Sequence, residues 1–298
     1  MSELKRILIL PRIKVQNANA LSSPFTIGFP AVTAWLGAVH ALQRKLQQAG
    51  FESIKFTSVG IVSHEFELQT YKGQGDFVTS IIGTGNPLDK DGNRPSFIEE
   101  ARCHLTVSLV VEYEGLDVDD KDLALPVIHR LLGGHLKMAG GDILAHDKPY
   151  FTNTNNSDDT RKILRKLMPG YVLIERRELM QSAMEGGLDA LDALIDYLAV
   201  HHKCEQDVDT VTWQSGRKEK GWLVPVAVGF QGVSALGQAL NQRDVNVLHR
   251  FAEAIVTLGE FKMAHHIDEL STIQWRYQVD SPNSLYLCET SKEQGIYF

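Results

Sequence analysis

Residues 12–37 read RIKVQNANALSSPFTIGFPAVTAWLG and concentrate side chains suited to neutral, directional recognition. Gln16, Asn17, Asn19, Ser22, Ser23 and Thr26 fall within eleven positions. Amides and hydroxyls offer donors and acceptors without charge, the chemistry that reads nucleobase edges. Arg12 and Lys14, just upstream, supply cations for phosphate. Phe25 and Phe29 offer rings on which a splayed base can stack, although Phe29, beside Pro30, equally suits a core staple under the next helix. The polar residues also have a second use. Asn and Ser bond nearby backbone, so a polar turn capping the helix explains them as well. The residues alone leave both uses open.

Acid–base chemistry would need a placed imidazole, and His40, His64 and His104 are the candidates, as a ribonuclease would use them. None sits in a recognisable nucleophile or metal arrangement, and no HExxH spacing is present. The DxD pairs Asp117/Asp119, Asp120/Asp122 and Asp207/Asp209 lie in polar, turn-like segments without a partner ligand nearby. His201-His202 and His265-His266 are adjacent, so on a helix they would diverge rather than share a metal. Cys103, Cys204 and Cys288 are odd in number and widely spaced, which indicates neither a disulfide framework nor a zinc site. The expectation is no metal and no cofactor. GGHLKMAGGDI, residues 133–143, contains two glycine pairs. Such pairs let a backbone approach a ligand closely, and Gly140 and Gly141 are taken as part of the site. A helix end and a turn would account for one pair, not both.

A scaffold for these side chains follows from the periodicities. Ile7, Ile9, Ile13 and Val15 fall on one side of an extended strand. Leu8, Leu10, Arg12, Lys14 and Gln16 fall on the other, which turns from apolar to basic. The helix after Pro30 has an apolar stripe of Val32, Trp35, Leu36, Val39, Leu42 and Leu46, with Thr33, Gly37, His40 and Arg44 along a second face. Residues 54–69 read as a second strand. Leu105, Val107, Leu109, Val111 and Tyr113 line one face of a third, with Arg102, His104, Thr106 and Ser108 on its polar face. Residues 71–100 are too polar for a core and too long for a hairpin connection, so a projecting finger is expected. A helix over 123–136, the glycine-rich loop and a short strand follow. The order is β-α-β-β-α-β, an α+β pattern of the ferredoxin-like type. A smaller C-terminal α/β part is expected to contain helices over 188–198 and 245–258, a surface loop over 205–220, and a strand over 222–230 whose Pro225 marks an edge or bulge. The expected division is 1–180 and 181–298, with the insert at about 71–100.

The chain has 298 residues, 43% hydrophobic and 22% charged, enough for one or two globular domains. Its net charge of −7 argues against nucleic acid, but the distribution does not. Up to Gly50 six bases face one acid, Glu3, and over residues 161–177 six bases face one acid, Glu175. Local positive surface on an acidic chain suits a polyanion bound at one face. No run of 18 apolar residues appears, so no membrane span is expected. The apolar run of MSELKRILIL is too short for a signal peptide. A cytoplasmic protein with reduced thiols fits these features.

LPRIKVQNANALSSPFTIGFPAVTAWLGAVHALQR resembles the N-terminal signature of the second subunit of the type I-F CRISPR surveillance complex, of the Csy family within the RAMP superfamily. GIVSHEFE, NPLDKDG, EEARCHLTVSL, KMAGGDIL, LMPGYVLIERRELM, GWLVPVAVGF and LGEF follow in family order through most of the chain. The resemblance implies an RRM-like RAMP fold and a non-catalytic subunit that holds the 5′ handle of CRISPR RNA. It implies pairing with the large subunit, and a finger that reaches the adjacent backbone subunit. Whether target DNA is touched near the flanking motif is left open. An endoribonuclease of RAMP fold and a pure protein scaffold are the alternatives. The residues expected to meet RNA are Arg12, Lys14, Gln16, Asn17, Asn19, Ser22, Ser23, Thr26, Phe29, His40, Arg44, Arg102, His104, Gly140 and Gly141.

Overall fold

The apolar run of residues 7–10, continued by Ile13 and Val15, makes β1 (Lys5–Asn19) a central strand. A small hairpin, β2 (Leu21–Ser23) and β3 (Thr26–Ile27), leads into α1 (Val32–Gln48). The computed structural model describes residues 4–82, 88, 90–93, 100–207, 210–242 and 244–290. Next come β4 (Lys55–Leu68), the short pair β5 (Thr70–Tyr71) and β6 (Ser80–Ile81), β7 (Arg102–Glu114) and α2 (Val118–Leu132). Then follow β8 (Lys137–Met138), β9 (Gly141–Ala145), β10 (Tyr150–Thr154), α3 (Ser157–Lys166) and β11 (Tyr171–Glu175). The remainder is α4 (Arg177–Glu185), α5 (Ala190–Leu198), the hairpin β12 (His201–Asp207) and β13 (Thr210–Gly216), β14 (Leu223–Gly232), β15 (Ala252–Met263), β16 (Arg276–Asp280) and β17 (Leu285–Glu289).

The protein is α+β, built on a large curled antiparallel sheet. Its order is β16-β17-β14-β15-β11-β4-β7-β1-β9-β8, with β10 also paired to β1. The curl returns β16 to the middle of the sheet. Val59 and Trp275 exchange both backbone hydrogen bonds, and the buried Trp275 indole donates to the Leu173 carbonyl at 3.0 Å. The C-terminal strands therefore extend the same sheet through β11.

The stripe of α1 is buried as expected, and so is the apolar face of β7. Both pack with Ala124, Ile128, Leu131 and Leu132 of α2 in one core. A second core lies on the other face, where Ile163 and Leu164 of α3 and Ala264, Ile267, Leu270 and Ile273 cover Ile7, Ile9, Val62 and Val110.

Four expectations change. The faces of β1 do not alternate throughout. Between Leu10 and Ile13 it holds one residue more than β7, so Leu8, Leu10, Ile13 and Val15 share the helix-covered core. A bulge shifts side-chain parity by one, which puts Lys14 and Gln16 on the face of Ile7 and Ile9. Residues 205–220 contain a hairpin rather than a loop. Residues 252–263 form a strand, not the end of a helix, because Ile255, Val256 and Thr257 are β-branched and pair with β14, while residues 259–263 pair with β11. Gly140 and Gly141 turn β8 into β9. A Cβ on Gly141 would lie 2.6 Å from the Gln16 carbonyl oxygen, so this glycine admits the chain's own β1.

Pro225 lies in β14 beyond the reach of β17, which pairs only residues 229–231, with a register shift between. The segment expected to form a finger begins at β5–β6, and residues 85–87, 89 and 94–95 of its expected tip lie outside the described residues.

Candidate nucleic-acid interface

Two bulges and one turn build a buried polar node. Arg12 sits on the β1 bulge with φ 51°, a conformation that an L residue adopts only under tertiary constraint. Its backbone N–H donates to Ser108 Oγ at 2.9 Å, and its guanidinium Nη2 donates to the Met168 carbonyl at 2.9 Å. A bulge in β4 between Ser63 and Glu65 aims His64 at the same hydroxyl. His64 Nε2 lies 2.7 Å from Ser108 Oγ, and Nδ1 lies 2.7 Å from the Pro169 carbonyl. A carbonyl only accepts, so Nδ1 carries the proton and Nε2 accepts from the serine. Ser108 is wholly buried. Gly170 lets the turn come this close, since a Cβ there would meet His64 Cε1 at 3.0 Å. Burial lowers the His64 pKa from its ordinary value, helped by the Arg12 charge and opposed by the Pro169 carbonyl and Glu65. The ring is held neutral, the form that the node requires.

A cleft opens on either side of this node. One, of about 360 Å³, is lined by Pro11, Arg12, Asp147, Lys148, Tyr150, Lys166 and Leu167. Arg12, Lys148 and Lys166 make it basic, and the Lys166 ammonium lies 5.8 Å from the Tyr150 ring centre. The other, of about 310 Å³, is aromatic. It opens where β4 parts from β11, whose pairing ends at Ser63. Phe29, Phe66, Tyr171, Trp222 and Phe261 wall it, while Ser22, Thr26, Ser63 and His64 border it. The rings pack in tilted and edge-on pairs, 5.3 Å for Trp222–Phe261 and 5.1 Å for Phe29–Phe261. Trp222 is still 52% exposed, which leaves a ring available for stacking.

The residues singled out in the opening stretch divide. Ser22 Oγ and Ser23 Oγ lie 2.8 and 2.7 Å from Thr26 Oγ1, and Ser23 also receives the Phe25 N–H, so these hydroxyls largely hold the β2–β3 hairpin. Asn19 bonds the Leu21 backbone through both side-chain atoms. Asn17, with φ 55°, donates its N–H to His104 Nδ1 at 3.2 Å, and its Oδ1 accepts from Gln69 at 2.8 Å. Phe29 is 8% exposed and stacks on Trp35 as well as flooring the cleft. Phe25 projects into solvent. Lys14 and Gln16 are exposed beside this network. Arg102 is paired with Glu100. His40 lies elsewhere, in a dimple of about 40 Å³ between α1, β4 and Trp275. Burial first, then Arg44, lowers its pKa. Arg44 is exposed on the same helix, so α1 does not bring either residue to the node.

The basic run at 161–177 is largely neutralised. Arg161 pairs with Asp268, Lys162 with Asp159, Arg176 with Glu178 and Glu260, and Arg177 with Glu175 and Glu289. Arg165 and Lys166 are left without an ion pair among the described residues.

The comparisons with known proteins point one way. The family model described as CRISPR-associated protein (Cas_Csy2) matches residues 8–288. The chain is 33% identical to the CRISPR-associated protein Csy2 of Pseudomonas aeruginosa (strain UCBPP-PA14), across 98% of this chain and 97% of that one. This chain belongs to the Csy2 family. The resemblance to a type I-F CRISPR–Cas subunit is thereby borne out. Several Csy2-like signatures converge at the node: LPRIK contributes Arg12, GIVSHEFE His64, EEARCHLTVSL Ser108 and LMPGYVLI the 168–170 turn. GWLVPVAVGF contributes Trp222, Val224 and Pro225 to the aromatic cleft. Lys148, Tyr171, Trp222 and Phe261 were not legible as site residues, since no periodicity marks them, and for Ser108 the alternation of β7 gave only a place on its polar face. An exposed tryptophan opening a strand was the one available signal.

Proposed function

We propose that this Csy2-family chain is a non-catalytic, cytoplasmic subunit of a type I-F complex that binds the 5′ handle of CRISPR RNA. The carrying observation is the single wall of Arg12, Ser108 and His64 with a basic cleft on one side and an aromatic cleft on the other. Phosphate fits the first and a splayed base the second, the pairing by which single-stranded RNA is held. The strand order β4-β7-β1-β9, with α1 and α2 on one face, supports a ferredoxin-like RAMP core. The reading includes pairing with the large subunit and contact of the finger with the adjacent backbone subunit.

The nuclease alternative has weaker support. In the node a serine hydroxyl donates to an imidazole, the arrangement of an activated nucleophile. That hydroxyl is fully buried and already accepts the Arg12 N–H, so a phosphodiester has no approach to it. The test is binding of handle RNA by Trp222→Ala, followed by fluorescence anisotropy. Stacking contributes roughly 1–3 kcal/mol per base, so affinity should fall about 5- to 150-fold. Unchanged affinity would refute the cleft as the base site. Metal-independent cleavage of repeat RNA that disappears in His64→Ala would favour the nuclease.

A further inference from the structure

The helix α5 is apolar on two faces. Ala193, Leu194 and Tyr197 are buried against Leu223 and Leu258 of the sheet and Met180 and Ala183 of α4. Leu191 and Ile195, one turn apart, are 59% and 55% exposed, and Leu188, just before α5, and Met184, near the end of α4, are exposed at 38% and 47%. A helix that is apolar all round is ordinarily buried all round. An exposed apolar stripe with a polar rim marks an interaction surface.

Along residues 184–198 the charged side chains all have one sign. Residues 184–198 contain Glu185, Asp189, Asp192 and Asp196 and no base. Asp196 is engaged by Lys218 and Asp189 caps its own helix at the Asp192 N–H. This rim decides between occupants. RNA would bring phosphates against carboxylates. A second copy meeting face to face would set the same acids against one another, since a two-fold contact repeats each patch on both sides. A protein with an apolar ridge edged by lysine or arginine satisfies both the stripe and the rim.

We infer that the apolar α4–α5 face is the docking face for such a basic-edged protein ridge, which, on the reading above that this subunit pairs with the large subunit, belongs to that subunit. The surface lies on α4–α5, apart from the residues that line the two clefts, so RNA binding and pairing can be perturbed separately.

The test is co-expression with the large subunit, size-exclusion chromatography with light scattering, and titration of the purified partners. Leu191→Asp/Ile195→Asp should abolish the heterodimer or weaken it by at least about 100-fold, as expected for central apolar anchors. Glu185→Lys/Asp192→Lys, which leaves the apolar stripe intact, should weaken it about tenfold at low salt and less at high salt. Melting temperatures and handle affinity of both variants should match wild type. Pairing of both variants at wild-type affinity would overturn the docking face while leaving the pairing reading intact. Failure of the wild type itself to pair would sink the pairing reading, and the inference with it. A self-dimer of the isolated chain that Ile195→Asp disrupts, or a loss of handle affinity in these variants with pairing preserved, would also overturn it.

Discussion

Replacing Ser108 with alanine removes a single, wholly buried oxygen and almost no volume. Its effect therefore reads the node rather than a cavity. The oxygen accepts from Arg12 N at 2.9 Å and donates to His64 Nε2 at 2.7 Å. Without it, a backbone donor and a ring acceptor lose their partners. An unmade bond to a buried group costs about 1–3 kcal/mol. Both partners are only half-buried, so solvent recovers part of that, and the expected loss is about 2 kcal/mol, or roughly 3 °C in melting temperature for a chain of this length. The change should be measured by urea denaturation at pH 7.5 and by thermal melting, with handle affinity in parallel. The pH profile supplies a second reading. The His64 pKa lies below its ordinary value of 6.5 in the folded state. Its contribution is complete above about 6.5 and is lost as pH falls through the folded-state value. In Ser108→Ala the neutral ring has lost the partner that favoured it, so the stability difference between the two proteins should narrow toward pH 5. A destabilisation below about 0.5 kcal/mol, within the range of an ordinary surface change, would refute the node as a structural element.

Three further outcomes are expected. The basic cleft is lined by Arg12, Lys148 and Lys166, so three phosphate contacts there should make handle affinity vary with salt at a log–log slope of about −2, and Lys148→Ala/Lys166→Ala should flatten it by about 1.4. A slope beyond about −4 in wild type would show that the paired arginines contribute after all. Asn17→Ala should lower stability by roughly 1–3 kcal/mol, because alanine tolerates the positive φ poorly and the Gln69 bond is lost; an unchanged melting curve accompanied by lost discrimination between handle and scrambled RNA would make Asn17 a base reader instead. Replacing residues 85–95 with a Gly-Ser turn should leave the melting temperature within a few degrees and impair assembly with the adjacent backbone subunit, whereas loss of folding would show that the segment belongs to the core.

What the sequence determined by itself is the local pattern and the lineage. The apolar stripe of α1, the alternating apolar face of β7 that packs under the helices and the strand–helix order follow from residue spacing, because side chains return to one side of a helix or strand at a fixed period. The family follows from motifs spread along the whole chain. What only the tertiary structure decided depends on residues far apart. The bulge at Arg12 exists because β7 supplies one residue fewer, and it reverses the side on which Lys14 appears. The positive run at 161–177 is largely neutralised because Asp268, Glu260 and Glu289 fold onto it from 84 to 112 positions away. Ser108 looks like one polar residue among four on its strand until Arg12 and His64 arrive from two others. Periodicity is a property of neighbours in the chain, whereas ion pairing, bulge register and cleft walls are properties of neighbours in space.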